Sequence, residues 1–112
     1  MATAGYKVLG QLSPTNTTEN SFSAVPALKA WVISTITISN ITATNAYATL
    51  SLCVNGAATS NANTLLSNVL IPANSMQAFT IGISLAAADV VRVTSGTANA
   101  LTFQLFGTEI TL

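Results

Sequence analysis

The chain has 112 residues, 50% hydrophobic and 5% charged, with three Lys and Arg balancing three Asp and Glu and a mean hydropathy of +0.58. Ordinary soluble domains carry about 25% charged residues, so this chain has too few ions to coat its surface and no basic stripe to neutralise phosphate or anionic lipid, which makes nucleic acid and membrane poor partners. A single cysteine, Cys53, excludes an internal disulfide and a zinc quartet, and the lack of histidine leaves acid-base chemistry to Glu19, Asp89 and Glu109 alone.

The opening MATAGYKVLGQLSP has no sustained apolar core, so no signal peptide is expected. A first strand is expected over Tyr6 to Gln11, followed by the polar loop SPTNTTENS and a short segment from Phe22 to Val25 that Pro26 ends. WVISTITISNI, Trp31 to Ile41, alternates with period two. Val32, Ser34, Ile36 and Ile38 are taken as its core face, with Trp31, Ile33, Thr35, Thr37 and Ser39 outward. YATLSLCVNG repeats the pattern, Ala48, Leu50, Leu52 and Val54 inward and Tyr47, Thr49, Ser51 and Cys53 outward.

Asn55-Gly56 signals a tight turn, which the following AATSNANT extends into a longer loop. LLSNVLIP runs to Pro72, and MQAFTIGISL carries Gly82 as an expected bulge. AAADVVRVTSG opens with at most one helical turn before a β-branched run, with Asp89 as a turn residue bonded to local backbone and Arg92 as a solvated strand-edge charge. The last strand, LTFQLFGTEITL, sets Leu101, Phe103 and Leu105 inward and Thr102, Gln104 and Phe106 outward, with Gly107 as a kink.

No window keeps helical spacing for three turns, and about eight strands at this rhythm read as an all-β antiparallel β-sandwich or jelly roll. The whole chain, 1–112, is taken as one domain, with residues 1–20 available as an extended arm to a neighbour. No stretch reaches the roughly 18 apolar residues of a membrane helix, and the aromatics do not pair as the girdles of a membrane barrel.

The chemistry is sparse. Nothing in the sequence pairs the three carboxylates or clusters them for calcium, so no cofactor, no metal and no catalytic residue is expected. Cys53 has no cationic neighbour in sequence to lower its pKa and is read as a passive side chain. Trp31 with Tyr47 offers a glycan-stacking platform only as an alternative to a core or interface role.

The uncharged outward faces point to association, because a neutral surface with few ions promotes it. Tyr6, Lys7, Trp31, Ile33, Tyr47, Arg92 and Phe106 are the candidate interface residues, and the expected partner is first a second copy of the chain, in a symmetric oligomer.

In their order and spacing, YKVLGQ (6–11), VPA (25–27), IPAN (71–74), ISLAAADVVRV (83–93) and FGTEI (106–110) resemble small structural proteins of tailed bacteriophages, cyanophages among them. The resemblance spans nearly the whole chain. It implies a β-sandwich or jelly-roll virion protein, trimeric, that decorates and cements the capsid by binding the major capsid protein. The alternative it implies is a tail or baseplate accessory protein, including a knob that contacts a glycan receptor. Both readings exclude an enzyme. The Ala, Ser, Asn and Thr content of residues 55–68 departs from such relatives, so no loop contact is carried over from them.

Overall fold

A computed structural model describes residues 3–112, which form eight strands. They are β1 (Thr3–Leu12), β2 (Asn20–Ser21), β3 (Lys29–Asn40), β4 (Ala46–Cys53), β5 (Thr64–Ile71), β6 (Met76–Leu85), β7 (Val90–Ser95) and β8 (Leu101–Thr111). The segment 1–20 begins outside the described residues; from Thr3 to Leu12 it runs as β1 along β8. No strand forms over the expected Phe22–Val25; the two residues before it, Asn20–Ser21, make β2, and Phe22 and Val25 donate their N–H groups to Val91 O (2.9 Å) and Asp89 O (3.0 Å) beyond the strand's end. No helix opens the Ala86 segment; a tight turn closes there, with the Asp89 N–H on Ala86 O at 3.1 Å.

Antiparallel ladders join β1 to β8, β2 to β7, β3 to β6 and β4 to β5. These are the pairs made when an eight-strand chain folds back on itself as one long ribbon. The ribbon rolls up so that β8 also pairs with β3 and β7 with β4. Rolling divides it into sheet A, in the order β1-β8-β3-β6, and sheet B, in the order β2-β7-β4-β5. This is the wiring of a jelly roll.

Between the sheets, Ile33, Ile36, Ile38, Leu50, Leu101, Phe103 and Leu105 are fully buried and Val91 and Val93 nearly so. The alternation of β8 matches its expected faces. The accessible surface, 5801 Å², is what a folded monomer of 11.4 kDa exposes, roughly 5,800 Å². The core is therefore closed without help from a partner.

The core face of β3 differs from the expectation, and a bulge is the reason. Against β8, the two-residue step from Ile33 to Thr35 is matched by the single step from Gly107 to Phe106. Ser34 is the extra residue, and its hydroxyl donates to Phe106 O at 3.2 Å where the ladder is interrupted. Alternation reverses there: Trp31 and Ile33 point inward before the bulge, and Ile36 and Ile38 inward after it. Val32 and Ser34, expected in the core, are exposed.

β1 bulges at the same level, between Val8 and Gly10, and the β3–β6 register slips around Gly82 as expected. Gly107 does not kink β8, which runs unbroken to Thr111. A Cβ there would strike Val32 O and lie 2.9 Å from Ile33 Cα, so only glycine lets β3 approach at the bulge.

Candidate interaction surface

All six charged residues of the chain lie away from the outer face of sheet A. Along β8 that face presents Thr102, Gln104, Phe106, Thr108 and Ile110. Past its bulge β3 adds Thr35, Thr37 and Ser39, which pair with Thr80, Ala78 and Met76 of β6. On β1, Gln11 donates its side-chain amide to Gln104 Oε1 at 2.9 Å. One end of the face is apolar: Tyr6 is 92% exposed, Val8 46% and Val32 38%, beside half-buried Phe106. The hydroxyl row expected on the wet side of β3 is thus part of a four-stranded face that carries no ion among the described residues.

The reason is that the charges at this end of the sheet project to the other side. Lys29, Trp31 and Glu109 share the inner face with Lys7, with Trp31 packed into the core and the ionic groups beside it. Glu109 Oε1 lies 3.3 Å from Lys7 Nζ and 3.4 Å from Lys29 Nζ. Its Oε2 accepts the Trp31 indole N–H at 2.9 Å, and Lys29 Nζ also donates to Thr111 Oγ1 at 3.2 Å. The indole N–H, followed by the two ammonium groups, holds the Glu109 carboxyl below its ordinary value, against an opposing push from desolvation. Three residues more than 70 positions apart in sequence from Glu109, namely Lys7, Lys29 and Trp31, meet here.

Sheet B shows a different outer face. Arg92, expected as a solvated edge charge, donates to the carbonyls of Ala57 and Gly56 and to Ser21 Oγ, tying the loop after β4 across the sheet. Beneath that loop Cys53 is fully buried, with its Sγ 3.8 Å from Thr59 Oγ1. It keeps the outward parity expected for it but has no contact with solvent. Val54, expected inward, is 69% exposed because the strand ends at Cys53 and the chain turns through Asn55 and Gly56, both at positive φ.

The candidate interface residues therefore separate. Tyr6 and Phe106 share the outer face of sheet A, Lys7 lies on the reverse of the same sheet, and Tyr47 and Arg92 belong to sheet B. Trp31 and Ile33 leave the interface set, since they are 6% and 0% exposed within the chain's own core. A glycan platform built from Trp31 and Tyr47 goes with them. Val32, Ala78 and Met76 are surface residues that the alternation argument did not single out.

The three carboxylates have separate partners. Glu109 holds the ion cluster, Asp89 accepts the local Ala86 N–H (2.9 Å) expected of a turn residue and also the distant Asn55 N–H (2.8 Å), and Glu19 accepts the Thr59 hydroxyl at 2.5 Å. No group of three His, Cys, Asp or Glu able to hold a metal occurs among the described residues.

No protein-family model and no curated protein matches the sequence. Among solved structures, the chain is similar to one of Bacillus endospore appendages, described as a family of disulfide-linked pili, with a TM-score of 0.56 and 15% identity over 98% of this chain and 87% of that one. More distant likenesses are the coat protein dimer of Tobacco streak virus (TM-score 0.43, 7% identity, 98% and 84% covered) and a pentameric capsid protein from metagenomic phage sequences (0.38, 17%, 91% and 63%). The chain is an eight-stranded antiparallel jelly roll by its own strand order, and at 15% identity its similarity to the appendage structure is one of fold alone.

Proposed function

We propose that this protein is a non-enzymatic virion structural protein that decorates and cements a bacteriophage capsid, docking as a homo-oligomer on subunits of the major capsid protein. One observation carries the reading: the outer face of sheet A spans four strands and presents hydroxyls, amides and apolar groups without a charge. Burying an ion costs several kcal/mol unless it is paired. A face without ions is covered at little cost, and its hydroxyls and amides can bond to a partner's backbone. The same face is poorly suited to keeping a free monomer apart from its neighbours. Binding of this kind stabilises the assembled shell by mass action. A tail location would use the same face and differs in the number of copies per particle.

The test uses particles stripped of the protein. The wild-type chain is expected to co-sediment with them and to raise the temperature at which they release DNA. A Thr37→Lys, Ala78→Lys variant places two ammonium groups at the centre of the face, on side chains that do not support the core. It is expected to fold normally and to bind at least ~100-fold more weakly, since even one uncompensated buried ammonium costs about 3 kcal/mol or more. Equal binding by that variant would overturn the assignment of the face.

A further inference from the structure

We infer that sheet A continues from one copy of the chain into the next by strand addition, with the free edge of β1 pairing antiparallel with the free edge of β6. The inference deepens the oligomeric part of the proposed function and rests on it for its biological setting.

The four sheet edges are not equivalent. In sheet B, β2 has only two residues, and β5 breaks register twice against β4, with Asn68 at a φ of 47°. Both edges are blunted in ways that proteins use to prevent strand pairing. The edges of sheet A have less of this protection, with one irregularity each, the β1 bulge between Val8 and Gly10 and the β6 slip around Gly82. β1 and β6 are each ten residues long and neither contains proline. β6 carries no charge, and the one charge of β1, Lys7, is turned to Glu109 on the inner side. Among the described residues, no backbone hydrogen bond from a loop or turn covers either strand. Each edge therefore leaves a row of N–H and C=O groups without a protein partner, and such a row is a template for another strand.

The two edges also fit each other. Every ladder in sheet A is antiparallel, so in the order β1-β8-β3-β6 the outermost strands run in opposite directions. A second copy that continues the sheet brings its β1 alongside β6 in the antiparallel sense that the ladder requires. Ten paired residues make about ten backbone bonds, and losing about two at the bulges still leaves a number within the roughly 5–15 of a standard interface. A ten-residue edge is about 33 Å long, and the narrowest extent of the molecule is 21 Å. The flank thus offers about 700 Å² per partner, close to the ~800 Å² of a standard interface.

Pairing β1 with β1, or β6 with β6, would leave the other edge open. The heterologous pairing uses both edges with a single kind of contact, and it closes into a ring or extends as a filament according to the rotation per step.

Proline substitutions test the pairing, because neighbouring residues of an edge strand direct their N–H groups to opposite sides. Of Gly5→Pro and Tyr6→Pro on β1, and of Gln77→Pro and Ala78→Pro on β6, one member of each pair removes a free-edge donor while sparing the internal ladder. Circular dichroism identifies the folded member. Sedimentation velocity over a concentration series is expected to show the wild type growing beyond a dimer and each edge-blocked variant remaining monomeric. An equimolar mixture of a β1-blocked and a β6-blocked variant is expected to form a dimer with one copy of each. A wild type that stays monomeric, a β6-blocked variant that still dimerises, or blocked variants that assemble like the wild type would each overturn the inference. No coat protein is present in this experiment, so its failure leaves docking on the particle to be judged by co-sedimentation alone.

Discussion

Replacing Gly107 by alanine perturbs the place where sheet A is most tightly drawn together. The added Cβ would strike the Val32 carbonyl oxygen and sit 2.9 Å from Ile33 Cα and 3.0 Å from the Val32 carbonyl carbon. Carbon atoms in contact are comfortable at about 3.5–4.0 Å, so β3 and β8 must separate by roughly 1 Å at the bulge. The obstacle is backbone, which cannot move aside by changing rotamer. Overpacking of this sort costs about 1–3 kcal/mol, and stretching two ladder bonds beyond useful length adds about 1 kcal/mol each.

The expected loss is about 3–5 kcal/mol, against a total stability of ~5–15 kcal/mol for a domain of this size. For 112 residues the unfolding entropy converts this to a fall in Tm of about 12–20 °C. Thermal and urea denaturation of Gly107→Ala measure it, with Gly5→Ala as the control on β1. Nothing lies within 4 Å of a Cβ at Gly5, and that variant is expected to stay within about 0.5 kcal/mol of the wild type. A Gly107→Ala protein that melts together with its Gly5→Ala control would refute the close-approach argument.

Glu109 predicts an acid-dependent effect. Its folded-state pKa lies below the ordinary 4.5, so it favours the folded state above that pH and the contribution is lost as pH falls through the folded value. Glu109→Gln is expected to lower stability at neutral pH, and the gap to the wild type should close in denaturation series taken below pH 4.5. Cys53, buried under the loop, is expected to resist a thiol reagent in the native protein and to react at once in urea. Arg92→Ala removes the side chain that ties that loop down; faster labelling of Cys53 and faster amide exchange over 54–63 are expected, with a stability loss of about 1 kcal/mol. Labelling of Cys53 at the wild-type rate in Arg92→Ala would mean that the loop is held by other contacts.

Period-two alternation made the strands and the inward face of β8 legible in the sequence, because each strand packs one side on a common core. Strict alternation misassigns the core face of β3 because its apolar residues change parity. Trp31 and Ile33 are odd, Ile36 and Ile38 even, and the two uncharged polar residues between them, Ser34 and Thr35, both face outward at the bulge. That change of parity is itself a sequence signal, and it locates the bulge without coordinates. Cys53 and Arg92 follow another logic, since parity placed them on an outer face but could not show that residues 57–63 fold back over it. The ion cluster left no local trace at all. Lys7, Lys29 and Glu109 come together through the β1–β8 and β3–β8 pairings, which the rolled ribbon determines. The three charges that belong to sheet A thus meet in a single inner-face cluster, and its outer face is left without ions.

The most direct test of the cementing role is the copy number of this protein in purified virions relative to the major capsid protein, by quantitative mass spectrometry with labelled standards. A number comparable to that of the capsid protein is expected, as a protein spread over the shell requires. A small fixed fraction of that number, or its absence from the particle, would contradict it.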